Sequence, residues 1–335
     1  MSDVSRETFS DENVRDGSEE PVFESAQDIL KRIFGNSSSD FGSELADEKD
    51  RLRKLDEIEF QHPSETRYIA ISNQKGGVGK TTSAVNLAGA FADSGLNVLV
   101  IDMDPQGNAS TALGIPHGSD DITVYDVIEG RSSIQDAVKA CPEFDTLDVV
   151  PSSIDLSGAE LEIVDMDNRT GLLKQQLDNY INNSDKHYDY VIIDCAPSLG
   201  LLVLNALCAV HEVLIPIQAE YYALEGLGQL LNTIQLVQNS LNHNLVISTM
   251  LVTMFDKRTL LSREVYGEIK EHYKDIVLDA TIPRSVRISE APSFNQTIIT
   301  YDPKGNGSIA YREAALEINN RAEGIIARLT EKGNK

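Results

Sequence analysis

From Tyr68 onward the chain alternates short, unbroken apolar runs with longer stretches of helical periodicity. The runs are YIAIS, NVLVIDMD, TLDVVPSS, YDYVIIDCAP, EVLIPIQ and LVISTMLVTMF. Each is short enough for a strand and too continuous for one that faces water on one side. Between them lie stretches such as TSAVNLAGAFADSG, stopped by Gly95, and ALEGLGQLLNTIQLVQNSL, whose apolar residues recur at helical spacing. Strands dry on both faces, alternating with helices, predict an α/β fold: a mostly parallel sheet with helices on both faces. No internal repeat or linker interrupts the pattern after residue 66, so residues 66–330 read as one domain.

Ahead of that point the pattern dissolves. Residues 1–65 hold 18 acidic and 8 basic residues, a net charge of −10, among many serines and glycines. Such a segment cannot bury enough apolar surface to offset its ordering entropy, and it is expected to be a largely disordered acidic extension. Within it, residues 23–34 (FESAQDILKRIF) place Phe23, Ala26, Leu30, Ile33 and Phe34 at helical spacing, a short helix that is transient or docks on a partner. At the other end, Ile318, Ile325, Ile326 and Leu329 form an apolar stripe that is expected to pack on the sheet rather than on lipid.

Composition narrows the classes. No apolar run reaches the roughly 18 residues of a membrane span, and the polar, acidic N-terminus is unlike a secretory signal. Three cysteines, Cys141, Cys195 and Cys208, lie far apart without C-x-x-C spacing. They argue against a disulfide framework, a zinc site or an iron–sulfur site and fit a reducing cytoplasm. The net charge of −24 counts against a broadly basic nucleic-acid-binding face, so any DNA contact needs a local basic patch.

The candidate chemistry lies in SNQKGGVGKTTS, residues 72–83. Gly79, Lys80 and Thr81 complete the second half of a phosphate-binding loop, G-x-x-x-x-G-K-[ST]. The position of the first glycine is Gln74, and a second lysine, Lys75, follows it. Strand, glycine-rich turn and helix are the context such a loop requires: Gly76, Gly77 and Gly79 let backbone N–H groups approach phosphate oxygens, and the helix beginning near Lys80 adds its positive end. Lys80 would reach the β- and γ-phosphates of a nucleotide and the Thr81 hydroxyl a Mg²⁺ ion. Phosphoryl transfer also needs acids to position metal and water. Asp194 ends the run YVIID, and Asp102 and Asp104 end NVLVIDMD.

Four ordered motifs, K-G-G-V-G-K-T-T, V-I-D-M-D-P-Q-G-N-A-S, Y-D-Y-V-I-I-D-C-A-P-S-L-G and I-P-R-S-V-R-I-S-E-A-P-S-F, resemble those of the ParA family of chromosome and plasmid partitioning ATPases, over about residues 66–330. The family belongs to the deviant Walker A group of P-loop NTPases, whose pattern K-G-G-x-G-K-[ST] lacks the first glycine as this chain does. The resemblance implies that ATP and Mg²⁺ are the cofactors and that Lys75 reaches across an ATP-sandwich homodimer to the partner's phosphates. It implies catalytic roles for Lys75, Lys80 and Asp104, the last orienting the attacking water. Nucleotide contacts follow at Lys75, Gly76, Gly77, Val78, Gly79, Lys80, Thr81, Thr82 and Asp104, with Pro283 and Ser285 beside the adenine. Thr81, Asp102 and Asp194 are implied in the Mg²⁺ shell.

The function so implied is DNA segregation. The ATP dimer binds duplex DNA nonspecifically, through a patch here expected at Arg258, Arg263, Arg284 and Arg287, and a ParB-type centromere-binding protein stimulates hydrolysis to release it. The expected location is cytoplasmic, nucleoid-associated in the ATP state, without stable membrane association. The same group contains MinD-like positioning ATPases that act on a membrane or a protein cluster, and this is the alternative. MinD-type proteins end in a basic amphipathic helix, and the iron-protein type needs paired cluster cysteines. Here the C-terminal stripe is expected to pack on the sheet instead, and the cysteine spacing supplies no obvious pair.

Overall fold

A computed structural model describes residues 37–198, 200–220 and 223–333. Residues 1–49 and 50–335 are separate units. The described part of the first is the opening of helix α1 (Ser37–Asp56), and the proposed helix at 23–34 lies outside the described residues.

The second unit is built on one eight-stranded sheet. In chain order its strands are β1 (Arg67–Ile71), β2 (Val98–Met103), β3 (Lys139–Ala140), β4 (Leu147–Val150), β5 (Tyr190–Cys195), β6 (Glu212–Gln218), β7 (Val246–Phe255) and β8 (Val277–Pro283). Their spatial order is β3-β4-β2-β5-β1-β6-β7-β8, and every pairing is parallel except the short β3–β4 pair. The six apolar runs became β1, β2, β4, β5, β6 and β7. The main helices are α2 (Lys80–Asp93), α3 (Asn108–Ala112), α4 (Leu172–Asn183), α5 (Leu201–Ala209), α6 (Ala223–Ser240), α7 (Leu260–His272), α8 (Val286–Glu290) and α9 (Asn306–Asn320).

The strands bury both faces, which is why their sequences do not alternate. Along β2, Leu99, Ile101 and Met103 belong to a cluster with residues of α4, α5, α6 and α7. Val98 and Val100 belong to a second cluster with residues of α2 and α9. The two cores are the two helix-covered faces that the apolar pattern predicts. The C-terminal stripe goes inward in part: Ile318 joins the second cluster and Ile325 is buried, while Ile326 and Leu329 are half-buried.

At the N-terminal ends of the central strands, Arg67 of β1 and Glu212 of β6 form a fully buried ion pair. The guanidinium donates to both carboxylate oxygens at 2.8 and 2.6 Å and to the Ile318 carbonyl at 2.7 Å. Burial works against the Arg67 charge, but its Glu212 partner outweighs it and holds the pKa above the ordinary arginine value. Removing either partner of such a pair leaves an uncompensated buried charge. Tyr190 beside it stacks on Phe91 of α2 with ring centroids 4.0 Å apart, so this end of the sheet is rigidly built. The opposite, C-terminal strand ends carry the loops, as open parallel sheets generally arrange their sites.

Residues 51–64, which the sequence assigns to the extension, belong to the second unit and pack on its helices and sheet. Arg51 donates to both oxygens of Glu313 at 2.7 and 2.6 Å, and Leu55 is buried. Phe60 meets the edge of Phe91. Gln61 exchanges two hydrogen bonds with the Asn319 side chain, His62 meets the buried Asp189 at 2.9 Å, and Ser64 donates twice to Glu323.

Candidate active site

Three neighbouring strand ends assemble the site. The loop at 72–79 leaves β1, Asp102 lies near the end of β2 and Asp104 just past it, and Asp194 lies near the end of β5, which runs between those two strands. Asp102 and Asp194 are register partners, so residues 92 positions apart in the chain share one level of the sheet. The topology brings the sequence-predicted acids to the predicted loop.

The loop is held from behind. Gly77 and Gly79 have φ of 75° and 87°, the left-handed region that a side chain disfavours, and Gly79 caps α2 in that conformation. Thr253 of β7 donates to the Val78 carbonyl at 2.8 Å. Asn73 donates to the Pro216 carbonyl at 2.8 Å and accepts from the Lys75 N–H at 3.0 Å. Neighbouring strands thus fix the backbone in a phosphate-cradling shape before any ligand enters.

The two lysines lie in different environments. Lys80 is buried, and its ammonium donates to the Lys75 carbonyl at 3.3 Å. Burial lowers its pKa, against the pull of the negative charges at Asp194, Cys195 and Asp104. Lys75 is half-buried, with Nζ 3.3 Å from the Glu220 carboxylate. Glu220 also accepts from the Gln218 amide. No sequence motif marks Glu220 as a partner, and the sequence reading missed it.

The three acids differ just as sharply. Asp194 is fully buried, and neither of its oxygens has a hydrogen-bond partner. Burial first, and then the Asp102 charge, hold its pKa well above the usual carboxylate range; the nearby Thr81 hydroxyl, outside hydrogen-bond geometry, and the Lys80 charge pull the other way. A buried carboxylate with both oxygens open is what a cation and its water shell require of a protein. Asp104 is nearly buried and accepts the Gln106 N–H through Oδ1 at 3.0 Å. Asp102, expected in the metal shell, differs from both. Its Oδ1 accepts the Asp104 N–H at 3.1 Å, and its Oδ2 accepts the N–H and the hydroxyl of Ser110 at 2.8 and 2.7 Å. Burial raises it to about 6, against the lowering effect of those Ser110 donors.

Beside the loop lies a cavity of about 230 Å³ lined by Gly79, Thr82, Met254, Pro283, Ser285 and Tyr311, among others. Pro283 and Ser285 are thereby brought next to the phosphate loop, over 200 residues away in sequence. Met254 takes a left-handed φ of 51° there, a conformation uncommon for a side chain of its size. Met254 and Tyr311 escaped sequence reasoning because nothing local marks them.

The four arginines are all exposed but not equivalent. Arg258 donates to both oxygens of Asp256 at 2.9 Å. Asp256 is held near 2, mainly by those Arg258 bonds and in smaller part by the charge of Arg284. Arg287 stands over the Tyr301 ring and 3.7 Å from Glu290. Arg263 is on the first turn of α7, and no observation ties it to the other three.

The profile of a family described as an AAA domain matches residues 66–247. The sporulation initiation inhibitor protein Soj of Bacillus subtilis is 49% identical over 252 residues, covering 75% of this chain and 98% of its own. The chromosome partitioning protein ParA of Caulobacter vibrioides is 47% identical over 255 residues, covering 76% and 94%. Among solved structures, cobyrinic acid a,c-diamide synthase from Mycobacterium smegmatis, with a bound ATP analogue and magnesium, matches with a TM-score of 0.64 and 37% identity over 75% of this chain and 93% of that one.

Proposed function

The chain belongs to the Soj/ParA family of chromosome-partitioning P-loop ATPases, and from that premise we propose that it is a dimerising, DNA-binding ATP switch. It binds ATP with Mg²⁺, pairs with a second copy of itself, and in that state binds duplex DNA without sequence preference. A ParB-type partner then speeds hydrolysis and releases it. Residues 66–330 carry the ATPase activity and residues 1–65 are an acidic extension. The protein acts in the cytoplasm, on the nucleoid when ATP is bound. Among the described residues no helix is long and apolar enough to cross a membrane.

The observation that carries this reading is the pair of lysines in one loop. Lys80 lies buried under the loop and serves its own chain's phosphates. Lys75 lies beside Glu220, at the margin of the same site, available to the phosphates of a second subunit. Hydrolysis breaks the bond between the γ-phosphorus and the β–γ bridging oxygen and forms one to a water oxygen. Asp104 orients that water, and the backbone N–H groups of residues 76–80 hold the phosphate oxygens. Lys80 and the partner's Lys75 stabilise the charge on the transferring group, as an arginine finger does. Magnesium, when bound, neutralises the β- and γ-phosphate oxygens, and the Thr81 hydroxyl and the open oxygens of Asp194 are the groups that would hold it. Pro283 and Ser285 flank the base in the adjoining cavity. Arg284 borders that same cavity, a route by which the nucleotide reaches the DNA patch formed with Arg258, Arg263 and Arg287.

The test is sedimentation with ATP and with ADP in an Asp104→Ala background that blocks turnover. ATP should double the mass and ADP should not. Lys75→Ala should keep ATP binding while hydrolysis falls at least tenfold, whereas Lys80→Ala should weaken binding itself. Equal masses in the two nucleotides would refute the dimer switch.

A further inference from the structure

Asp102 and Asp194 are register partners on adjacent strands and both are fully buried, yet their surroundings are opposite. Asp194 has no hydrogen-bond partner at either oxygen. Asp102 accepts three hydrogen bonds, all from the segment 104–110 that begins with Asp104. Two of its three donors belong to Ser110, a fully buried residue of α3. The Ser110 hydroxyl in turn accepts the Ser152 N–H at 3.0 Å, just past the end of β4.

One carboxylate therefore closes the segment at both ends. At the near end it holds the Asp104 N–H. At the far end it holds Ser110, which is itself tied to the neighbouring strand. The turn between is set by the Gly107 N–H donating to the Asp104 carbonyl at 2.9 Å and by the Gln106 N–H donating to the Asp104 carboxylate. An ionised carboxylate offers about four acceptor positions, and three of those on Asp102 face donors of its own chain. A metal ligand needs its lone pairs directed at the ion, as Asp194 offers and Asp102 does not.

We infer that Asp102 and Ser110 are positioning residues for hydrolysis: together they clamp the segment that carries Asp104, and Asp102 is not a ligand of Mg²⁺. The inference rests on the reading that Asp104 orients the attacking water. Hydrolysis is sensitive to that placement, since displacement by about 1 Å can cost 10²-fold in rate. Binding of ATP, made by the 76–80 loop, does not depend on it.

The experiment measures phosphate release at saturating ATP across a magnesium series, together with the affinity for a fluorescent ATP analogue, in the full chain. The variants are Asp102→Asn, Ser110→Ala and Asp104→Ala. Ser110→Ala removes one donor to Asp102 and the acceptor for Ser152 without adding bulk, so it is informative even where Asp102→Asn does not fold. The expected result is a kcat at least tenfold lower in both positioning variants, with KM for ATP, analogue affinity and half-saturating magnesium within twofold of the parent. A tenfold rise in half-saturating magnesium in Asp102→Asn would show the carboxylate to be a ligand and overturn the inference. So would parental kcat in Ser110→Ala while Asp104→Ala is inactive. Parental kcat in Asp104→Ala would instead remove the role assigned to Asp104, a failure of the underlying reading that this control makes visible by itself.

Discussion

Asp194 concentrates the conflict between stability and function in a single residue. A buried carboxylate without hydrogen-bond partners is destabilising in the ligand-free protein, and a polar group left so typically costs about 1–3 kcal/mol. Asp194→Asn keeps a polar group at the site but removes the buried charge, so it should raise the stability of the nucleotide-free protein at pH 7 while abolishing magnesium-dependent hydrolysis. The pH dependence has a definite sign. The folded-state pKa is raised, so the native state binds more protons than the unfolded chain above the unfolded value of about 3.9. The penalty is present at neutral pH and disappears as pH falls through the raised folded value, and the advantage of the asparagine should shrink with it. Denaturant melts of parent and variant at pH 7 and pH 4.5 check this, and an advantage that grows on acidification would contradict it. At this scale local pattern marks the loop with Lys75, Lys80 and Thr81 and the strand-end acids Asp102, Asp104 and Asp194, and the sheet brings the acids to the loop; the roles of Lys75 and Asp104 came from the family resemblance alone. Local pattern could not announce that Asp102 is clamped by Ser110 or that Lys75 lies against Glu220, because those pairings exist only after the strands are laid side by side.

Among the elements, the segment ahead of β1 changes the picture most. Composition alone makes residues 1–65 a solvated tail, and helix Ser37–Asp56 was not foreseen because its few apolar residues, Phe41, Leu45, Leu52 and Leu55, are at helical spacing but diluted among charged residues and serines. From Arg51 to Ser64, however, the chain is held by the Glu313 fork, by buried Leu55, by Phe60 on Phe91 and by the paired Gln61–Asn319 bonds. A chain starting at residue 66 should still fold and bind ATP, because the sheet and both cores remain. It should be less stable than one starting at residue 50 by about 3 kcal/mol, from burial of one leucine and roughly 1 kcal/mol per buried hydrogen bond. Thermal melts of the two truncations test this, and equal midpoints would mean that the segment contributes nothing. Two strands were illegible for related reasons. β3 has only two residues, and edge strand β8, VLDATIP, is partly exposed, so neither leaves a continuous apolar run. The six strands that did are buried along most of their length.

For the whole molecule, the proposed DNA binding must overcome a net charge of −24. At physiological salt, charges beyond about 8 Å are largely screened, so the local patch decides. Arg258 is already engaged with Asp256 and offers a phosphate less than an unengaged arginine would. Arg287 is engaged too, over the Tyr301 ring and 3.7 Å from Glu290. Arg284 lines the cavity beside the phosphate loop and Arg287 lies on the helix after it, so these two are the arginines a bound nucleotide can influence, and a dimer presents each twice. Binding through phosphate contacts should be indifferent to sequence and fall steeply with salt, with a log–log slope of roughly −0.9 per contact. The most direct measurement is a gel shift of long duplex DNA with ATP, with ADP and without nucleotide, comparing the parent with the Arg284→Glu, Arg287→Glu double variant. The account predicts a shift by the parent with ATP alone, lost in the double variant although ATP binding is intact. A parent that never shifts DNA, or shifts it equally in all three nucleotide states, would contradict it.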